Sequence, residues 1–209
     1  MRTIFVIGGI GSGKSSVVHR FAELGAATLD LDVVGHEALR EGGVRAALVG
    51  AFGEGILDAA GGIDRKALAA AAFATPEGAA ALTGLTSPAI LARLASWLAE
   101  QAEQGTAFAV VEVSAFDGPD GLYGGLCDTL VAVCAPLDLR LERAFSKGFA
   151  ETDVRARLAA QPSDEQRQAW ADFTIENDGS RDDLQTRAEA VWAIITGEGK
   201  VVPGVSGDV

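Results

Sequence analysis

The chain has 209 residues, 48% of them hydrophobic, and a formal net charge of −12. That length suits one domain, or one domain with insertions, and that apolar fraction can bury a sizeable core. The negative balance argues against a nucleic-acid or anionic-membrane surface, and no apolar run is long enough to span a bilayer. Met1 and Arg2 lead straight into a strand pattern, which is expected to leave no room for a secretory signal. Cys127 and Cys134 lack metal-ligand spacing and are expected to be free thiols, packed as small hydrophobes in a cytoplasmic protein.

In chain order, Ile4 to Gly8 predicts a buried strand. It runs into Gly8-Gly9-Ile10-Gly11-Ser12-Gly13-Lys14-Ser15, which fits the phosphate-binding pattern G-x-x-x-x-G-K-[ST]. A helix is predicted next, with Val17, Val18, Phe21 and Leu24 at helical spacing. Strand, glycine loop and helix are the context that the motif's chemistry needs. Glycines such as Gly9, Gly11 and Gly13 free the main chain to aim its N–H groups at phosphate oxygens, with the helix dipole behind them. Lys14 is expected to reach the β- and γ-phosphates of ATP, and the Ser15 hydroxyl to hold Mg²⁺.

Gly25 closes the helix, and Ala26 to Leu31 predicts a second strand ending in Asp30-Leu31-Asp32. Residues two apart on a strand share a face, so both carboxylates are expected at the carboxyl end of the sheet, where α/β proteins bind ligands. A carboxylate there can act as the base for a hydroxyl that attacks a γ-phosphoryl group. Asp30 serves equally well as a helix cap, and Asp32 is favoured as the functional carboxylate of the two. Val33–Arg40, Val44–Phe52 and Arg65–Phe73 predict helices, with a glycine-rich loop from Gly53 to Asp64. His19 and His36 fit surface or packing roles. Thr75-Pro76-Glu77 and Ser87-Pro88 each look like a helix start, the second leading a long amphipathic helix through Leu91, Leu94 and Leu98. Residues 33–105 are thus expected to form a helical insertion that covers the acceptor.

Ala107–Val113 predicts the third strand. Glu112, near its end, is expected to help order Mg²⁺, as the acidic residue of a Walker B strand does, or to sit in a salt-bridged strand terminus. Thr129–Cys134 predicts the fourth strand, and Pro136 opens a helix. Arg140, Arg143, Lys147, Arg155, Arg157 and Arg167 then fall close together, six of the 17 basic residues. They suggest a lid over the polyphosphate, about residues 141–167. Ala171–Asn177 predicts a fifth strand, whose Asn177 can meet an adenine edge. Asp182–Ile195 predicts the closing helix, and residues 197–209 a disordered tail. The expected architecture is α/β: a P-loop NTPase-type three-layer sandwich with a five-stranded parallel sheet, plus a helical insertion and a lid. The core comprises residues 1–32, 106–140 and 168–196 of a kinase domain spanning 1–196.

Several stretches carry a family resemblance. Ile7–Ser16, IGGIGSGKSS, resembles the opening of dephospho-coenzyme A kinases. Leu29–Leu39, LDLDVVGHEAL, is similar to that family's D-A-D stretch. Thr75-Pro76-Glu77, Leu141-Glu142-Arg143, Ala159-Ala160-Gln161 and ADFTIENDGS at 171–180 follow in the family's order. The resemblance implies ATP-dependent phosphorylation of the ribose 3′-hydroxyl of dephospho-coenzyme A, giving coenzyme A and ADP, in the cytoplasm. It implies Asp32 as the catalytic carboxylate, Gly11 to Ser16 (with Ser12, Lys14 and Ser15) as the ATP loop, Arg143 as a lid arginine beside Lys14, and Asn177 on the adenine side. Departures fall at Ile7, Ser87-Pro88, Ser114–Asp117 and Lys147-Gly148. The alternative acceptor is another small metabolite or a nucleoside monophosphate. A nucleotide switch is disfavoured, because Asp32-Val33-Val34-Gly35 follows the second strand and no N-K-x-D string exists.

Overall fold

β1 (Arg2–Ile7) is apolar from Ile4 to its end and buried from Thr3 onward, the composition of a strand covered on both faces. In this computed structural model, which describes residues 1–197 and 204–207 without the side chains at 153, 156, 157 and 160, β1 lies inside a six-stranded sheet. Its parallel neighbours are β3 (Phe108–Val113) and β4 (Thr129–Cys134). β2 (Ala27–Asp30) pairs outside β3, and β5 (Phe173–Glu176) outside β4, again parallel. β2 alternates half-buried and exposed residues, whereas β4 is buried throughout, as edge and interior strands should be.

The order is β2-β3-β1-β4-β5-β6, so the sheet has six strands rather than the expected five. The sixth, β6 (Val205–Gly207), runs antiparallel to β5. It lies in the segment expected to be a disordered tail. Val205 is buried in the core, and the Gly204 carbonyl accepts from the Glu176 amide at 3.1 Å. Residues 198–203 and 208–209 of that expected tail lie outside the described residues.

Helices cover both faces of the sheet. α1 (Lys14–Glu23) and α9 (Arg181–Thr196) share one core with the residues of β1 that point their way. Ile4, Val6, Val17, Phe21, Leu184, Val191 and Trp192 are buried together there, and the rings of Phe21 and Trp192 lie 5.1 Å apart. Phe5 points to the opposite face, as the period of a strand requires. It meets Phe116 edge-on, and Phe116 meets Trp170 at the end of α8 (Asp164–Trp170). Two further helices, α6 (Leu137–Ser146) and α7 (Glu151–Ala160), precede α8 in the chain.

The chain divides into two units, Met1–Asp30 with Glu100 onward, and Leu31–Ala99. The second holds α2 (Leu31–Ala38), α3 (Gly42–Phe52), a 3-10 turn at Glu54–Ile56, α4 (Arg65–Ala72) and most of α5 (Pro76–Glu103). Its own core is Leu48, Ile56 and Leu68, with Leu39, Val44, Phe52, Ile63 and Leu82 packed around them. Asp64 caps α4, accepting from the amides of Lys66 and Ala67.

Two local expectations are corrected in this unit. β2 stops at Asp30 and α2 begins at Leu31, so Asp32 sits in a first helical turn and not on a strand. Leu31, Val34 and Ala38 are buried at helical spacing, and that pattern outweighs the strand alternation. The second helix start at Ser87-Pro88 does not occur either: α5 runs 28 residues with Pro88 inside it. The carbonyl that loses its donor belongs to Gly84, four residues back. Two residues before the proline, the Thr86 hydroxyl donates to the Leu82 carbonyl at 2.8 Å.

Candidate active site

The chain leaves β1 toward β2 on one side and leaves β3 toward β4 on the other, so the carboxyl end of β1 is a topological switch point. The glycine loop starts there. Gly11 and Gly13 hold φ of 74° and 103°, in the left-handed region where a side chain is strained. Gly13 is the N-cap of α1 and offers no capping side chain. The amides of Lys14 and Ser15, with the positive end of the helix dipole, are therefore left to an anion. Lys14 is 8% exposed, and its Nζ stands 3.5 Å from the Gly9 carbonyl. The Ser12 hydroxyl is buried with no hydrogen-bond partner among the described residues. A buried ammonium, an uncapped helix start and an unpartnered hydroxyl form a cradle for polyphosphate. Ser16 follows on the exposed side of α1, its amide bonded to the Gly13 carbonyl at 3.0 Å.

From outside, the loop is gripped by residues far along the chain. An ideal Cβ on Gly9 would lie 1.9 Å from Nη2 of Arg140, and one on Gly13 would lie 2.3 Å from Nδ2 of Asn177. Arg140, on α6, donates from Nε to the Ile10 carbonyl at 3.0 Å and from Nη1 to Asp164 at 3.1 Å. Asp164 also accepts from Arg167 at 2.7 Å, and the Ile10 amide donates to Gln161 at 3.2 Å. Both main-chain polar groups of Ile10 are thereby held. Arg140 and Arg167 are buried, so they are not part of a solvated lid face. Burial pulls the Arg167 guanidinium below the usual arginine range, against the pull of Asp164. Sequence reasoning counted Arg140 only among the basic residues and missed its grip. The available signal was its place one helical turn before Arg143.

Asn177 is also buried, and its amide is engaged at both ends. Nδ2 donates to the Ser12 carbonyl at 2.7 Å, and the carbonyl end accepts from Arg143 at 3.4 Å. Arg143 donates as well to the Asn177 main-chain carbonyl at 3.2 Å. Two residues expected to meet nucleotide are thus brought together as a brace on the loop.

Ser15 and Glu112 also meet: the hydroxyl donates to Glu112 Oε1 at 2.8 Å. Glu112 lies beside Val6 on one side and Asp30 on the other in the sheet register. A hydroxyl and a carboxylate are hard oxygen donors that suit Mg²⁺, which keeps several water and phosphate ligands of its own. Among the described residues no group of three or more His, Cys, Asp or Glu side chains offers an all-protein metal cage.

Other candidates lie elsewhere. Asp32 is exposed in the first turn of α2, in the second unit. Arg155 pairs with Glu151 on an open helix face, with side-chain exposures of 75% and 61%. Asp117, the last residue of the departing 114–117 stretch, accepts from the Leu122 amide within its own turn. Lys147 ends α6, and Gly148 follows at φ 83°. Both cysteines are free, with burial raising Cys127 to about 11 and Cys134 to about 12.

The family profile of dephospho-CoA kinase matches residues 2–183. The chain belongs to the dephospho-CoA kinase family. It is 42% identical over 195 residues to the dephospho-CoA kinase of Mycolicibacterium paratuberculosis, covering 92% of this chain and 47% of that protein. It thus spans about half the length of the relatives it first matches. The Corynebacterium diphtheriae dephospho-CoA kinase is 36% identical, with 92% of this chain and 96% of that protein covered. The crystal structure of TT1252 from Thermus thermophilus superposes with a TM-score of 0.78 at 30% identity, over 94% of this chain and 98% of that one. The departures from the family's pattern have plain structural settings: Ile7 ends β1 in the core, and Ser87 is buried within α5. No helix among the described residues is long and apolar enough to cross a membrane.

Proposed function

We propose that the chain transfers the γ-phosphoryl group of ATP to the ribose 3′-hydroxyl of dephospho-coenzyme A, giving coenzyme A and ADP, in the cytoplasm. The observation that carries this reading is the uncapped start of α1 beside a buried Lys14 and the unpartnered Ser12 hydroxyl, in a chain of this family. The loop amides that the fold leaves open, those of Gly11, Gly13, Lys14 and Ser15, bind the triphosphate, and Lys14 offsets its charge as the γ-group moves. Ser15 and Glu112 hold Mg²⁺, which neutralises phosphate charge when bound. Arg143 adds positive charge beside the loop, and the turn that follows Asn177 faces the base. Asp32 accepts a hydrogen bond from the acceptor hydroxyl and takes its proton. As that happens, the hydroxyl oxygen bonds to the γ-phosphorus and the bond to the β,γ-bridging oxygen breaks, releasing ADP.

The deciding experiment incubates pure protein with ATP, Mg²⁺ and dephospho-coenzyme A beside a panel of small metabolites and nucleoside monophosphates. Coenzyme A and ADP are expected in equal amounts. ATP binding without coenzyme A above a no-enzyme control would remove this acceptor and leave the panel to name another.

A further inference from the structure

The second unit contains a pocket of about 470 Å³ lined by His36, Arg40, Arg45, Asp58, Ile63 and Arg65, among others. Three of the five basic residues between Leu31 and Ala99 meet there, in a chain whose net charge is −12. The acids in and near the pocket have other partners. Asp58 turns its Oδ1 onto the amides of Ala60 and Gly62, both at 2.9 Å. Glu37 and Glu41 pair with Arg93 at 3.1 and 2.6 Å. Two of the three arginines are pre-set. Arg45 is tied to the Gly61 carbonyl at 2.9 Å. Arg65 Nη1 stands 2.7 Å from His36 Nε2; with Arg65 donating, the imidazole accepts through Nε2 and presents its N–H at Nδ1. An open, largely cationic pocket with oriented guanidinium donors suits a phosphate-type anion, which arginine forks match in geometry.

The position of the pocket narrows the ligand. Asp32 and His36 are four residues apart on α2, hence on one face and about 5–6 Å apart along it. The carboxylate proposed to receive the hydroxyl proton and the rim of the cationic pocket therefore follow each other along one helix face. In the proposed acceptor, the 3′-hydroxyl and the 5′-pyrophosphate are carried by the same ribose. We infer that this pocket binds the pyrophosphate diester of the acceptor, through Arg65, Arg40 and the His36 N–H, and so fixes which ribose hydroxyl faces Asp32. This inference rests on the function proposed above. It assigns the second unit a charge-reading role that is separate from the ATP loop: binding energy from a non-reacting part of the substrate is spent on orienting the reacting part.

The test uses the full chain, with the phosphate loop saturated by a non-hydrolysable ATP analogue in the binding arms. Arg65→Gln and Arg40→Gln are suitable variants, because both side chains are exposed and outside the core of the unit. Calorimetry with dephospho-coenzyme A is expected to show affinity weakened roughly 10- to 100-fold in each, the value of a charge-assisted contact. Adenosine, which has the ribose but no phosphate, should bind all forms alike. Inorganic pyrophosphate should follow dephospho-coenzyme A. In turnover, the variants should raise KM for dephospho-coenzyme A while leaving KM for ATP unchanged.

If the wild type makes coenzyme A and the variants keep its KM, the pocket assignment fails and the proposed function stands. If the wild type makes none, the proposed function fails, and the pyrophosphate titration alone decides the pocket. Loss of pyrophosphate binding with an unchanged KM for dephospho-coenzyme A would mark the pocket as a site for a free anion and overturn its assignment to the acceptor.

Discussion

Arg140 shows how one side chain shapes a loop it does not belong to. Its guanidinium occupies the space a Cβ on Gly9 would need, and it bonds the Ile10 carbonyl and Asp164 at once. Arg140→Ala would leave the Ile10 carbonyl without its side-chain donor and Asp164 with Arg167 alone, a loss of about 2 kcal/mol. Arg140→Lys keeps a charge but cannot make both bonds from one planar fork. We expect both variants to unfold at lower denaturant, with ATP affinity reduced further in the alanine form. An alanine variant with wild-type ATP affinity would show that the loop holds its shape without this grip. Asp32 stands at the other extreme, exposed in a first helical turn. Asp32→Asn is expected to lower kcat at least about 100-fold, the scale of a lost general base, with ATP affinity unchanged. Full turnover in that variant would overturn its assignment as the base.

At the scale of elements, Pro88 inside α5 is the least expected feature. Ser-Pro ahead of an apolar run is a fair signal for a helix start, yet the helix continues because its flanks are buried: Thr86, Ser87, Leu94 and Leu98 all point inward. Tertiary burial overrode a local breaker, and a sequence pattern cannot show that. Pro88→Ala should restore a donor to the Gly84 carbonyl and remove the ring clash, worth up to about 3 kcal/mol in an interior turn, less about 1 kcal/mol for the freer unfolded chain. A higher melting temperature is expected, and a lower one would mean that the core is shaped around the ring. The start of α9 was more legible. Ser180 and Asp183 form a reciprocal capping box, and Ser180→Ala should cost about 1 kcal/mol. The Ser180 hydroxyl and amide hold Asp183 below its usual value of 3.8, and Arg187 does the same for Asp178. A carboxylate depressed in the fold adds stability above its unfolded value and loses it as pH falls through the folded one. Acid titration of unfolding should therefore show a decline setting in below about pH 4 that is smaller in an Asp178→Asn variant.

Over the whole molecule, the parallel sheet and the nucleotide loop were legible because they are written in contiguous stretches: buried apolar strands, a glycine string, a helix with an inward stripe. The strand-face argument for Asp32 fails, because β2 ends at Asp30 and Asp32 lies in a helical turn. The Arg140–Asp164–Gln161 grip and the Asn177 brace were not legible, since they join positions more than a hundred residues apart to Ile10 and Ser12. β6 was missed for the same reason. Three residues carry no periodicity, and only the partner strand makes them a strand. Its role can be weighed. Val205 is 7% exposed and packs in the main core, worth about 1.5–2 kcal/mol of apolar burial, and the Glu176 amide loses the Gly204 carbonyl if the segment is removed. Deleting residues 204–209 should therefore cost about 2–3 kcal/mol, which in a chain of this size lowers the melting temperature by roughly 4–10 °C. It should also bare the outer edge of β5, a row of unpaired main-chain groups ready to pair with a second copy. Thermal unfolding and light scattering on the truncated chain check both effects. A truncated form that melts at the wild-type temperature and stays monomeric would show that β5, without β6, is already a sufficient edge.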